Sequence, residues 1–377
     1  MNLSYWEIKT WLSKVDFTIV GSGIVGLNCA LNLKQQFPDS KILILEKGLL
    51  PQGASTKNAG FACFGSLSEI IEDLKTHSET EVLQLVKQRI NGLQLLRQNL
   101  GDKNISYQEL GGYELFLKED NNLFENCTHQ KERINQLLFP LFNEEVFSLK
   151  SNSFNFENIK PEYIFNKFEG QIDTGKMMNA LLSTAYASGI KILNNCEVEA
   201  FSENNNGVII RTNAFEFSTK KLLIATNGFA SKLLDENVKP ARAQVLITKP
   251  IENLHIKGTF HLDKGYYYFR NIDNRILLGG GRNLDFKTEE TTEFGQTEII
   301  QKKLHDLLKT TILPNTKFEI DHKWSGIMGV GNQKKPIVKQ VSDNVYCGVR
   351  LGGMGIAIGS LIGKELAELI PAKAGIS

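Results

Sequence analysis

Three glycines, Gly21, Gly23 and Gly26, stand in GxGxxG spacing between a short β-prone run at residues 16–20 and a segment with helical apolar spacing at 24–36. A second apolar run, 41–46, closes the unit on Glu46. Strand, glycine turn, helix and second strand make a βαβ unit, and each glycine has a task in it. Gly21 permits the tight turn, Gly23 lets the backbone approach a pyrophosphate, and Gly26 lets helix and strand pack closely. Ile24 and Val25 open the helix, whose free amides attract a diphosphate. A carboxylate at Glu46 can accept both hydroxyls of an adenosine ribose, and it disfavours a 2′-phosphate.

The following segment narrows the dinucleotide to FAD. Residues 53–60 read GASTKNAG. Small residues, hydroxyls and amides at Ser55, Thr56, Lys57, Asn58, Ala59 and Gly60 can wrap a pyrophosphate and reach an isoalloxazine edge, which an NAD dehydrogenase does not need. Further on, residues 66–100 carry apolar residues at the spacing of two helices, and 105–118 read as strand with a bend at Gly111 and Gly112. A helix is expected over 122–138, an irregular crossing over 150–167, and a helix over 173–187 with Asp173 as N-cap and Gly189 past its end. Strands follow at 192–193, 198–201, 207–212 and 221–225, with a turn at 204–206. Antiparallel strands are expected at 243–249, 265–270 and 275–280, with Asp273 and Asn274 as a turn, before a helix at 297–308.

Across nearly its whole length the chain resembles the D-amino acid oxidase, glycine oxidase and sarcosine oxidase superfamily of flavoenzymes. The matching stretches are GSGIVG, ILILEKG and GASTKNAGF, with Lys57 where arginine is usual in the family. They continue with 170–189, LLIATNG at 222–228, PARAQ at 240–244, the run 265–282 and the glycine-rich 348–359. The resemblance implies an α/β (α+β) fold: a Rossmann-type FAD-binding domain of the glutathione-reductase-like kind, interrupted by an antiparallel-sheet substrate domain. The expected boundaries are 1–82, 158–236 and 328–377 for the first and 83–157 and 237–327 for the second. It also implies non-covalent FAD, held in addition by Lys47, Val198, Thr226, Asn227, Gly228, Arg350, Gly352, Gly353, Met354 and Gly355. Cys347 lies near that last turn without the family's attachment context.

The implied reaction is hydride transfer from a carbon bearing a neutral amine to flavin N5, giving an imine that water hydrolyses. The protein's share is orientation and electrostatics. A loop such as 351–355 can point amides at developing negative charge. Strand periodicity puts Tyr266, Tyr268 and Arg270 on one face, with Tyr267 and Phe269 on the other. The first three are candidate pocket residues, whereas Arg282 reads first as a surface salt bridge. Members that oxidise amino acids often carry W-x-G-x-R, whose arginine pairs with the substrate carboxylate. Here Trp324 leads to Met328. Either Arg270, Arg282 or Arg350 replaces that arginine, or the substrate is an amine without a carboxylate there. Leu277 stands where members like sarcosine oxidase have a lysine that assists oxygen, so oxygen or another acceptor stays open.

Other classes find less support. A pyridine-nucleotide disulfide reductase needs a second dinucleotide motif and a CxxxxC pair, both absent. The five cysteines show no CxxC pair, and the six histidines no metal spacing, so no metal site is expected. His261 reads as a surface or packed residue, with reach to the pocket as the alternative. Lys and Arg number 43 against 42 Asp and Glu, a formal charge of +1 that argues against nucleic acid as a partner. A glycine-oxidase-like flavin component of a tRNA-modification system, or a D-amino acid dehydrogenase, are the alternatives kept. No run has the roughly 20 apolar residues of a membrane span, and residues 1–15 lack a signal peptide's apolar core. The expectation is a cytoplasmic protein whose leader is a helix packed on the first domain.

Overall fold

The computed structural model describes residues 2–371; residue 1 and residues 372–377, which the expected first domain includes, lie outside the described residues. Strand Val15–Val20 is buried at every position but Asp16, as in a parallel strand covered on both faces. Ile42–Leu45 and then Lys191–Leu193 lie parallel on one side of it, Glu216–Ile224 and then Val345–Val349 on the other. In chain order this is 3-2-1-4-5, the doubly wound arrangement. Ile337–Ser342 edges it antiparallel, and Val198–Asn204 with Gly207–Thr212 extends Glu216–Ile224 as a meander. Helices Ile24–Gln36, Glu79–Leu100, Thr174–Ala187 and Gly355–Glu368 join one core through Leu27, Leu96, Leu181 and Ile362. Asp173 caps its helix by accepting the Lys176 amide at 2.9 Å.

A second sheet runs Ile320–Val330, Lys239–Thr248, Arg275–Gly280, Tyr267–Ile272, Thr259–Leu262, Gly112–Leu115, Glu162–Asn166, Phe147–Ser151. All pairings are antiparallel except Thr259–Leu262 with Gly112–Leu115. One face buries Phe260, Phe269, Tyr267 and Leu278 against helix Glu298–Leu307, with the rings of Phe260 and Phe269 stacked at 4.5 Å. The other face looks toward the parallel sheet. A two-residue turn at Asp273 and Asn274, both with positive φ (49° and 57°), sets the register Ile272 to Arg275.

Several expected elements differ. The segment 150–167, expected to be irregular, contains the strand Glu162–Asn166 and the end of Phe147–Ser151. Tyr163 and Ile164 are both buried, on opposite sides in different cores, so no alternation marks the strand. Thr259–Leu262 is hidden for the same reason, buried at all four positions. Ile320–Val330 was not foreseen as a strand, and the strand expected over 105–118 shortens to Gly112–Leu115. The leader is a single turn, Tyr5–Glu7, followed by the π-helical Ile8–Leu12; only Leu12 is buried, while Tyr5 and Trp6 are exposed. All five cysteines are buried and unbridged. Among the described residues no helix is long and apolar enough to cross a membrane.

A two-stranded ribbon, Phe61–Ala62 with Gly170–Gln171, links the segment after the first βαβ unit to the approach of helix Thr174–Ala187.

Candidate active site

The turn after Val15–Val20 is built so that only glycine fits. Gly21 has φ +102°, and a Cβ on Gly26 would lie 2.0 Å from the Gly21 carbonyl oxygen. Helix Ile24–Gln36 has Gly23 as its N-cap and no acidic residue in its first turn. The Ile24 amide donates to Ser55 Oγ at 3.0 Å, drawing the 53–60 loop over the helix head. Glu46, 5% exposed, is held as an acceptor: Oε2 takes the Ser22 amide and hydroxyl, and Oε1 the Gly48 amide at 3.0 Å. Beside it the Lys47 ammonium lies 3.8 Å from the centre of the Phe229 ring, and burial together with Lys232 lowers its pKa.

The 53–60 loop is tied to both sheets. Asn58 Oδ1 accepts from the Gly60 amide and Thr174 Oγ1, and Trp324 Nε1 donates to the Lys57 carbonyl at 2.9 Å. At the other end of the chain, Arg350 adopts φ +66° and spends its guanidinium on the carbonyls of Lys335 and Asn237. The Leu351 amide donates to Asn227 Oδ1 and that of Gly352 to the Gly329 carbonyl. Those two amides are therefore unavailable for the anion-binding part expected of 351–355, which falls to Gly353 and the head of helix Gly355–Glu368.

The expected cofactor and pocket residues line one cavity, except for Gly26, Thr56, Gly228 and Arg270. Gly26 packs under Gly21, Thr56 Oγ1 donates to the Pro51 carbonyl at 2.7 Å, and Gly228 abuts the Met328 backbone. Arg270 lies behind Gly60, 2% exposed, with its Nε unpaired and its pKa lowered to about 10 by burial.

The second sheet supplies the facing wall. Register aligns Trp324, Val245, Gly279, Tyr268, His261 and Glu114 as one transverse row. Residues so aligned share a face. Gly279 leaves room for Tyr268, whose ring a Cβ there would approach to 2.6 Å. Tyr266 and Tyr268 line the cavity while Tyr267 and Phe269 enter the opposite core. Met328 lines the cavity beside Gly353, and Leu277 is buried in an apolar cluster with Ala59 and Val245. Arg282 corrects the expectation of a surface salt bridge: it lines the cavity, makes no ion pair among the described residues, and lies 4.8 Å from the centre of the Phe286 ring. The loop after it is anchored from below by Glu289, which is wholly buried against Arg242.

Four site residues escaped the sequence reading or were undervalued by it. His261 is 5% exposed, not a surface group, and lines the cavity. Its Nε2 lies 2.5 Å from Glu169 Oε1, which also accepts from Thr259 Oγ1 at 2.8 Å. Burial alone would push the imidazole down, but Glu169, aided by Glu69 and Glu114, raises it to about 9. Glu114 is raised by burial despite hydrogen bonds from Ser68. Burial, then Glu169, pushes the Cys63 thiol well above its ordinary range. Nitrogen, oxygen and sulfur of His261, Glu169 and Cys63 lie within 4.8 Å of one another. They come from three distant segments, so no local spacing could reveal them.

The cavity fits FAD. Two helix heads without acidic first-turn residues open on it, Glu46 offers a fixed acceptor, and a Cβ at Gly53 or Gly352 would meet nothing within 4 Å. Bound there, FAD supplies a hydride acceptor; the chain supplies positioning, shielding and donors.

Comparison with known proteins agrees. A family model described as FAD dependent oxidoreductase matches residues 16–369. A gamma-glutamylputrescine oxidoreductase of Escherichia coli (strain K12) is 25% identical over 94% of this chain and 83% of its own length. Among solved structures, glycine oxidase from Geobacillus kaustophilus superposes with TM-score 0.75 at 19% identity, covering 97% of this chain and 96% of that one. Iminodiacetate oxidase from Chelativorans sp. BNC1 superposes with TM-score 0.74 at 18% identity, covering 93% and 94%.

Proposed function

The chain belongs to the family of FAD-dependent oxidoreductases, and we propose that it oxidises a carbon–nitrogen bond of an amine or amino acid. The observation that carries this reading is the pocket wall of the second sheet. Tyr266, Tyr268, His261 and Arg282 offer hydrogen-bond donors to a small polar molecule. Hydride loss from a neutral amine needs little acid or base from the protein, and the burial-raised Cys63 thiol and Tyr268 phenol are suited to neutral, orienting roles. The activities for which the gamma-glutamylputrescine, glycine and iminodiacetate relatives are named support the same bond. FAD takes the hydride when bound. The chain's own residues grip the substrate, orient its C–H bond and exclude water. Departure of the amine as imine, followed by hydrolysis, completes the reaction.

The test is anaerobic reduction of the holoenzyme by a panel of primary amines, secondary amines and amino acids. Bleaching of the flavin absorbance by at least one of them, with ammonia or an amine released as the imine hydrolyses, is expected. Bleaching by 2-hydroxy acids and by none of the amino compounds would move the reading to carbon–oxygen oxidation.

A further inference from the structure

We propose that His261, held by Glu169, receives a carboxylate of the substrate, so that the acid end of the substrate lies across the pocket wall from Met328. The inference rests on the amine or amino-acid reading and makes it more specific. Met328 and His261 sit on the same face of the second sheet but four strands apart, roughly 19 Å across the strands at ordinary spacing, and Met328 lies four residues further along its own strand than Trp324, which stands in the row of His261.

The three arginines that could stand in for a clamp at Met328 are differently disposed. Arg350 is committed to two carbonyls, and Arg270 lies behind Gly60 outside the cavity. Arg282 remains, directly after Gly281, whose amide donates to the Tyr266 carbonyl, and it lies over Phe286. His261 has the more constructed setting. A protonated imidazole has two donors; Nε2 faces Glu169, while Nδ1 has no protein partner among the described residues and the ring lines the cavity.

The fold maintains this arrangement at a cost. Glu169 lies over Gly112, where a Cβ would fall 2.2 Å from Oε2, and Thr259 gives it a hydroxyl. A buried ion pair adds little to stability over apolar packing, so its upkeep points to use. Phe61 meets both His261 and Tyr268 edge-on, at 5.2 and 5.6 Å, fixing the imidazole plane beside a phenol that can donate to the same group.

The titratable and charged neighbours permit an anion here. Glu114 on the adjoining strand and Cys63 after Phe61–Ala62 are both driven by burial toward their neutral forms. Tyr268, on the other adjoining strand, is likewise held neutral. Glu69, on helix Leu67–Asp73, has one oxygen engaged by the Ser66 amide, and Arg89 faces it from helix Glu79–Leu100. Lys264 adds a cation to the lining, paired loosely with Glu72 at 3.4 Å.

The experiment titrates the FAD-loaded enzyme with butyrate and benzoate against butyramide and benzamide, reading the perturbation of the flavin absorbance, with no turnover needed. At pH 7 the acids are expected to bind at least tenfold more tightly than the amides, and the advantage to fade as pH rises through about 9. His261→Gln should abolish both preference and pH dependence. Glu169→Gln should keep the preference but move its loss to lower pH, which a purely structural role would not do. Equal affinity for acids and amides, a preference unchanged to pH 10, or its loss in Arg282→Gln with retention in His261→Gln would each overturn the assignment. If His261→Gln does not fold, the wild-type and Glu169→Gln profiles decide. Acid binding without flavin reduction by any amino compound would sink the carbon–nitrogen reading alone; reduction by amines without acid preference would sink this inference alone.

Discussion

Ser22 and Glu46 are joined twice: the amide and the hydroxyl of Ser22 both donate to Oε2 of Glu46, at 3.0 and 2.8 Å. The glycine turn and the end of the second strand are thereby locked together by the same carboxylate that is expected to receive a ribose, so its geometry is fixed before any nucleotide arrives.

Glu46→Ala therefore costs the protein twice. It strips an acceptor from buried donors, at about 1–3 kcal/mol, and removes the carboxylate expected to receive the ribose. FAD affinity is expected to fall by at least tenfold, read as a lower ratio of flavin to protein absorbance after gel filtration and as a weaker Kd on reconstitution.

Arg242 and Glu289 form a bidentate pair, both contacts at 2.8 Å, with Gln244 Nε2 on the same carboxylate at 2.9 Å. Removing one partner of such a buried pair leaves the other charge stranded, at about 3–5 kcal/mol. Glu289→Ala should lower the Tm far more than Arg242→Met with Glu289→Leu together, which removes both charges. A double variant no better than the single one would contradict this.

His261 gives the stability a pH dependence of definite sign. Its folded pKa of about 9 lies above the ordinary 6.5, so its stabilisation is full below about 6.5 and is lost as pH rises through about 9. Denaturant unfolding of wild type against His261→Gln should show a gap shrinking across that window by on the order of 3 kcal/mol. A gap that grew with pH would exclude a charged imidazole.

Leu277, which the resemblance sets at the position of an oxygen-assisting lysine, is buried hydrocarbon packed with Ala59 and Val245. Reoxidation of the reduced holoenzyme by air is expected to be at least tenfold slower than by an artificial acceptor such as a quinone analogue, measured by stopped-flow return of flavin absorbance.

Much of the nucleotide half was legible because its chemistry is local. Gly21 to Glu46 is contiguous, its helix and strands have distinct periods, and Asp173 announces its own helix. The pocket half was legible only where alternation survives. Tyr266 and Tyr268 part from Tyr267 and Phe269 by simple strand geometry, but Thr259–Leu262 is buried on both faces and carries no period, so His261 had no visible strand to sit on. Glu169 and Cys63 reach it through the ribbon that pairs Ala62 with Gly170, a long-range contact with no local signature. Arg282 looked like a surface cation because nothing in sequence shows that Gly281 and the hairpin turn it toward the cavity.

The tyrosine strand has a consequence for how this pocket can change over evolutionary time. Its run of three tyrosines is chemically repetitive, so a slip of one residue would still present a phenol to the cavity. It would, however, swing both Tyr268 and Arg270 into the apolar core, where Leu278 already packs. The two-residue turn at Asp273 and Asn274 forbids that slip. Insertions and deletions are thus closed to this hairpin as a route to new specificity, and the pocket can be retuned only by substitution in place or by lengthening the loop beyond Arg282.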